Sequence, residues 1–186
     1  TQLTSNAVEA LLERKDWSRA DALVRRALAE SKSDAPLTDG RPLHPDRFRL
    51  RLANVQLLAH RHDFVAAEAE ARAALGDAER AWGPDEPYVA LALIALSDAL
   101  AGAGRPADAV PVAERAVALA DARGDRVHPS LRYDSHFALA RVLAKAGQRE
   151  RAETVARAAR TLAETAGDAR FLAAVDGWLS GAAKPV

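Results

Sequence analysis

Apolar side chains recur along the chain at the spacing of an α-helix, and short polar or glycine-containing segments interrupt them. In one such stretch Leu93, Leu96 and Leu100 lie on a single helical face, and Gly102 follows where the pattern stops. A second amphipathic stretch begins near Pro106, with alanines on its apolar face. Small residues allow two helix axes to approach closely. This part of the chain is therefore predicted to form a helical hairpin.

The hairpin pattern occurs four times, with two alanines seven residues apart on each second helix. Successive copies lie about 42 to 47 residues apart, a period typical of stacked helical repeats. A proline, which presets the first helical turn, opens the first helix of three copies. The chain is accordingly predicted to be all-α. The alanine pairs are Ala20/Ala27, Ala67/Ala74, Ala109/Ala116 and Ala152/Ala159, and the prolines lie in His44-Pro45, Glu86-Pro87 and His128-Pro129.

The recurring alanine pairs and prolines predict that the chain forms one repeat domain over residues 1–181. A polar segment rich in Gly and Pro, from Ser31 to Arg41, is predicted to be a surface loop between the first two copies. The predicted repeats span about 3–31, 45–81, 87–123 and 129–166, followed by a capping helix over 168–181 and a tail over 182–186.

Two of the hairpin turns contain an acid followed by an aromatic residue, Asp16-Trp17 and Asp63-Phe64. An aspartate at this position can accept a hydrogen bond from the first turn of the second helix. The aromatic side chain is expected to pack back across the hairpin.

The last amphipathic segment has no partner helix after it. Phe171, Leu172, Val175, Trp178 and Leu179 lie on one helical face. Terminal repeats expose an apolar face unless a capping element covers it, so this segment is predicted to be a capping helix. The alternative is an adhesive site that uses Trp178.

Composition narrows the function without identifying it. Alanine is roughly a quarter of the chain, which favours helix, and Lys+Arg and Asp+Glu are 26 each, so no global field attracts nucleic acid or an anionic membrane. Cysteine is absent, which excludes disulfides and thiol chemistry. No apolar stretch approaches the roughly 18 residues of a membrane span. We expect a cytoplasmic domain, excised from a longer protein because it begins at Thr1 and contains no Met.

Catalytic and metal chemistry find little support in the sequence. His60 and His62 are two residues apart, so on a helix they point away from each other. The Gly102-Ala103-Gly104 run lacks the lysine and hydroxyl residue of a phosphate-binding loop. Neither an enzymatic activity nor a cofactor or metal is expected. Arginine outnumbers lysine, which leaves RNA binding as an alternative, but the arginines are interleaved with acids, as in EAEAR over 68–72, and no nucleic-acid partner is expected.

The repeats resemble the tetratricopeptide repeat family, in the variety with about 42 residues per repeat found in kinesin light chains and many bacterial multidomain proteins. The clearest match is the run from Trp82 to Ala90, WGPDEPYVA, which is similar to the linker of that variety, with Glu86 where His is usual. The resemblance covers about residues 4 to 166 and the capping helix. It implies a right-handed superhelix of four hairpins whose first helices line a concave groove.

The resemblance also implies which side chains face that groove and bind a partner. Carried over position by position, the groove-facing residues are Asn6, Glu9 and Glu13 in the first repeat; Arg49, Leu52, Gln56 and His60 in the second; Leu91, Ile94 and Asp98 in the third; and Asp134, Phe137, Arg141 and Lys145 in the fourth.

The groove departs from the family in one respect that affects its ligand. Of the paired asparagines with which kinesin light chains grip a peptide backbone, only Asn6 has a counterpart here, and the basic set that clamps a C-terminal carboxylate does not align. What remains is an apolar midline of Leu52, Ile94 and Phe137 with charges on both sides. Such a groove suits an amphipathic helix or a short apolar peptide. The alternative is that these residues only pack between hairpins.

The chain is thus predicted to be a non-catalytic protein-protein interaction module, a segment of a larger bacterial signalling protein. One alternative is an accessory module that packs against the catalytic domain of a serine/threonine protein kinase. The other is an RNA-binding helical repeat.

Overall fold

The computed structural model describes residues 2–30, 45–122 and 128–182, and within these ranges it contains nine α-helices and no strand. The all-α prediction is confirmed. The helices are α1 Gln2–Glu13, α2 Trp17–Glu30, α3 Pro45–His60, α4 Phe64–Trp82, α5 Pro87–Gly102, α6 Pro106–Ala122, α7 Pro129–Lys145, α8 Arg149–Ala166 and α9 Ala169–Ala182.

The helices form a row of hairpins that stack in chain order. Each helix packs against the next one along the chain, and the first helices also contact one another, α1 with α3, α3 with α5 and α5 with α7. The helix bounds lie within a few residues of the predicted repeats. The predicted surface loop from Ser31 to Arg41 and the residues 183–186 of the predicted tail lie outside the described residues.

The paired alanines form a seam, called the alanine seam below, along which each second helix packs against the neighbouring first helices. Seven of the eight are at most 1% exposed, and Ala27 is partly buried. The first helices supply larger side chains to the same core, including Leu93, Leu100 and Leu143, none of them more than 2% exposed. Because an alanine adds almost no bulk, the two helices of a hairpin can lie close together. The prediction that these alanines are buried is confirmed for the seven.

The last helix covers the end of the row, as predicted. Val175 is fully buried in a cluster with Ala159 and Ala163 of α8. Phe171 and Trp178 of α9 pack against the same cluster. The apolar face of α9 therefore serves as core, including the Trp178 that was the candidate adhesive residue.

The four hairpin turns share one backbone conformation. The second residue after each first helix has a positive φ: 58° at Lys15, 61° at His62, 78° at Gly104 and 79° at Gly147. Glycine adopts this conformation without strain, whereas Lys15 and His62 adopt it at some energetic cost. The role of His62 is thus structural, as a turn residue.

The turn aspartates cap the second helices, but the turn aromatics contact the following hairpin. Asp63 Oδ1 accepts a hydrogen bond from the backbone N–H of Ala66 at 3.2 Å, and Asp16 makes the equivalent bond. The Phe64 ring lies so close to Gly102 that a Cβ there would be 2.3 Å from it. The expected packing across the same hairpin is therefore replaced by packing between hairpins.

Similar ion pairs join neighbouring hairpins on the second-helix side. In each case an acid on one second helix pairs with an arginine in the turn before the next second helix or in that helix's first turn. Exposed pairs of this kind add little stability individually, but they favour one register between hairpins. The pairs are Asp21 with Arg61 at 2.9 Å, Glu68 with Arg105 at 3.0 Å, and Glu114 with Arg151.

None of the helices in the described ranges combines the length and the apolar character needed to cross a membrane.

The alanine seam generates a test of the packing. Ala116 of α6 is fully buried, so Ala116→Leu should lower the free energy of unfolding by about 1 to 3 kcal/mol, because the added atoms have no space between the helices. The matched control is Ala118→Leu on the exposed face of the same helix, with an expected change within about 0.5 kcal/mol. Urea unfolding followed by circular dichroism measures both. Equal stability of the two variants would contradict the close packing.

Candidate functional site

The first helices line a groove with a volume of about 710 Å³. Its walls are α3, α5 and α7, and two aromatic residues from other helices complete it. The lining residues are Leu52, Val55, Gln56, Ala59 and His60 of α3; Leu91, Ile94, Ala95, Asp98 and Ala99 of α5; Asp134, Phe137 and Arg141 of α7; Trp17 of α2; and Phe171 of α9.

The structure brings together most of the groove residues predicted from the sequence and leaves others outside. The exceptions all carry polar side chains on exposed positions of α1, α3 and α7, and two of them, Glu9 and Arg49, lie 3.7 Å apart. Inside the groove are Leu52, Gln56, His60, Leu91, Ile94, Asp98, Asp134, Phe137 and Arg141; outside it are Asn6, Glu9, Glu13, Arg49 and Lys145.

The apolar midline divides into two kinds of residue. Leu52 and Ile94 are partly buried, so each packs against its neighbours and still presents surface to the groove. Phe137 is only 9% exposed, and its ring packs edge-on against Phe171 at 5.5 Å and Trp178 at 5.8 Å between centroids. Phe137 is therefore chiefly a core residue that holds α9 in place.

Trp17 and Phe171 line the groove, although the sequence pattern predicts a turn contact for Trp17 and a capping-helix contact for Phe171. Trp17 stacks on His60, with ring centroids 4.0 Å apart, across the boundary between the first two hairpins. Phe171 packs on Tyr133 at 4.3 Å. The sequence carried no spacing signal for either position, because each comes from outside the first helices of the groove walls.

The position of Phe171 depends on the cap of α9. Asp168 Oδ1 accepts a hydrogen bond from the Phe171 N–H at 2.9 Å, and its other oxygen accepts one from the Tyr133 hydroxyl at 2.7 Å. These two hydrogen bonds hold the pKa of Asp168 below its usual value. Burial and the nearby Asp168 carboxylate raise the pKa of the Tyr133 hydroxyl, so Tyr133 stays protonated as the donor.

Two of the charged groove residues neutralise each other. The Nη2 atom of Arg141 lies 2.6 Å and 2.9 Å from the two carboxylate oxygens of Asp98, and the guanidinium lies 5.3 Å from the centre of the Phe137 ring. This pair joins α5 to α7 across the groove wall. Asp98 and Arg141 therefore serve first as an internal bridge.

Asp134 is a different kind of charge. It lines the groove and is partly buried, and no hydrogen bond or ion pair from the described residues reaches its carboxylate. Burial raises its pKa from an ordinary value of 3.8 to about 6; Arg141 and His128 oppose this rise, and Asp168 adds to it. An acid in this position is costly to the folded protein when it is ionised.

The two ends of the row approach each other near the groove. Arg170, at the start of α9, lies 3.3 Å from the Glu13 carboxylate at the end of α1. Both side chains are largely exposed, so the pair contributes little stability. It does establish that the row of hairpins curves, because helices from its two ends could not otherwise meet.

The described residues contain no cluster of three or more acidic, histidine or cysteine side chains that could hold a metal ion. His136, one of the five histidines, has both ring nitrogens engaged: Nδ1 lies 2.9 Å from the Arg132 carbonyl oxygen and Nε2 lies 3.4 Å from an Asp121 oxygen.

No protein-family model matches this chain, and no curated protein matches it either.

The raised pKa of Asp134 predicts how the free energy of unfolding changes with pH. A carboxyl group whose folded pKa is raised destabilises the folded state when ionised, so this penalty grows as pH rises from about 4 to about 6 and is complete above that. Asp134→Asn removes the charge, and it should raise the free energy of unfolding by up to about 3 kcal/mol at pH 8.

Urea unfolding of both proteins across this pH range measures the difference. The gain should shrink towards zero near pH 4, where the carboxyl is protonated in the folded state. A loss of stability at pH 8, or a gain that does not depend on pH, would contradict the electrostatic explanation.

Proposed function

We propose that this chain is a non-catalytic protein-protein interaction module of the tetratricopeptide repeat kind, in which a right-handed superhelix presents its groove to a peptide or an amphipathic helix of another protein. The observation that carries the proposal is the groove of about 710 Å³ on the first-helix side, with the partly buried Leu52 and Ile94 among its lining.

The contacts between hairpins support the repeat assignment. Polar pairs join successive hairpins on the second-helix side, and two more join first helices, where Ser5 donates to Asp46 and Arg141 donates to Asp98. The contact between Glu13 and Arg170 supports a superhelical path, since the end of the first helix meets the start of the last. A curved path of this kind gives the first helices a concave side.

The chemistry of the groove favours an apolar ligand. Leucine, isoleucine and alanine side chains of α3 and α5 lie along it. A helix with apolar residues on one face can bury them against such a surface and leave its polar face in water. In this proposal Gln56 and His60, both exposed beside the groove, contact the polar edge of the ligand.

The state of the arginines favours a protein partner over RNA. Arginines that bind phosphates must be free to approach them, whereas Arg51, Arg105 and Arg115 are each held by an acid of a neighbouring helix. Such pairs leave a surface of mixed charge.

A displayed library of short peptides, with this protein as bait, tests the proposal. Enriched peptides should carry apolar residues at helical spacing, and the double variant Leu52→Ser, Ile94→Ser should lose affinity about tenfold or more, because it removes the apolar floor. Val65→Ser is the matched control: Val65 is 81% exposed on α4, away from the groove, and its loss should leave affinity unchanged. Fluorescence anisotropy of labelled peptides measures both.

A second variant covers the case in which the double variant unfolds. Gln56→Trp adds bulk in the groove from an exposed position, so it should block binding in a folded protein. Binding should also change the fluorescence of Trp17, and this change should disappear in Trp17→Phe. The proposal fails if no enriched peptide depends on the groove variants.

A further inference from the structure

The groove contains one charge that the folded chain does not neutralise, and this charge bears on the ligand. This inference rests on the proposed function and deepens it. From the position of the unpaired Asp134 carboxylate beside the apolar residues of the groove, we infer that the bound peptide carries a basic side chain, flanked by apolar residues, that pairs with Asp134.

The basic side chains of the protein that lie nearest to Asp134 are bound to other groups. Arg141, two turns further along α7, is held by both carboxylate oxygens of Asp98 at 2.6 Å and 2.9 Å. His128 is engaged at the start of α7, where its Nδ1 lies 2.8 Å from the Ser130 hydroxyl. Arg170, on the neighbouring α9, pairs with Glu13. Asp134 thus faces the groove with no described hydrogen-bond donor in contact with it.

The net charge of the groove lining also favours a ligand with a basic side chain. Its charged lining residues are Asp98, Asp134 and Arg141, and the pairing of Asp98 with Arg141 leaves the single negative charge of Asp134. A ligand that is apolar throughout would bury this carboxylate further without a partner, which is strongly unfavourable. A ligand with one cation opposite Asp134 would instead form an ion pair in surroundings that water screens only partly.

Arginine fits the site better than lysine. A guanidinium is planar and more weakly hydrated than an ammonium, so it tolerates the partly buried, aromatic surroundings of Asp134 better. Phe137 and Phe171 lie in the same groove, and the guanidinium of Arg141 already lies near the ring of Phe137. We expect arginine peptides to bind more tightly than lysine peptides, and both more tightly than their glutamine counterparts.

A stability cost at Asp134 fits a role in binding. The raised pKa means that the folded protein would be more stable with an uncharged residue at this position. Binding sites commonly retain groups that are unfavourable in the free protein and favourable in the complex.

The experiment compares two baits and two peptides. Peptides enriched on the native protein, and confirmed as groove ligands by their loss on Gln56→Trp, are resynthesised with their basic residue changed to glutamine. This change should weaken binding to the native protein about tenfold or more and should have little effect on Asp134→Asn. The control bait is Asp85→Asn, an exposed acid in the turn before α5, on which the native difference should persist.

The pH dependence gives a second readout. The arginine peptide should bind more weakly at about pH 5 than at about pH 8, because Asp134 is then protonated, whereas its glutamine counterpart should show no such change on the native protein. The Asp134→Asn protein keeps His60 and His128, so a pH effect on the arginine peptide that persists in this variant does not come from Asp134.

The outcomes distinguish the inference from the function on which it rests. If no groove-dependent peptide is enriched, both are overturned. If groove-dependent peptides lack a basic residue, or if the change to glutamine weakens binding equally on the native protein and on Asp134→Asn, only the inference is overturned. Coupling between the basic residue and Asp134, absent for Asp85, is the result that supports it.

Discussion

The close approach of the helices along the alanine seam is the constraint on which the rest of the structure depends. Ala67, Ala109 and Ala152 are each at most 1% exposed, and any larger side chain there would separate the helices. Because the alanines bring each second helix close to its neighbouring first helices, the larger side chains of the core come mainly from the first helices, as Leu93 and Leu143 do. The opposite sides of these first helices then become the wall of the groove.

Polar contacts between hairpins determine how each hairpin is aligned with the next one. The ion pairs between second helices and the pair of Asp98 with Arg141 each join one hairpin to the next. Their individual contributions are small where they are exposed, yet a shifted register would leave all of them unpaired. Of the charged residues that line the groove, Asp98 and Arg141 pair with each other. Asp134 differs from them because nothing in the described chain pairs with it.

The sequence allowed the helices and their order to be predicted because both depend on local signals. Asp63 caps α4 where the sequence placed the turn, and Gly104 and Gly147 occupy the positive-φ positions of their turns. The groove was predictable only in part. Leu52 and Ile94 were expected from the resemblance to a repeat family, whereas Trp17 and Phe171 enter the groove from the start of α2 and from the capping helix, through contacts between elements distant in the chain.

By itself, therefore, the sequence determined the all-α class, the hairpin period and the burial of the small residues, since these follow from periodicity and backbone preference within a few turns of helix. Only the tertiary structure decided which groove residues are available to a ligand. Phe137 is turned into the core by Phe171 and Trp178, Arg141 is neutralised by Asp98, and Asp134 is left unpaired. Pairing and burial depend on what other hairpins bring to the same place, and no local pattern contains that information.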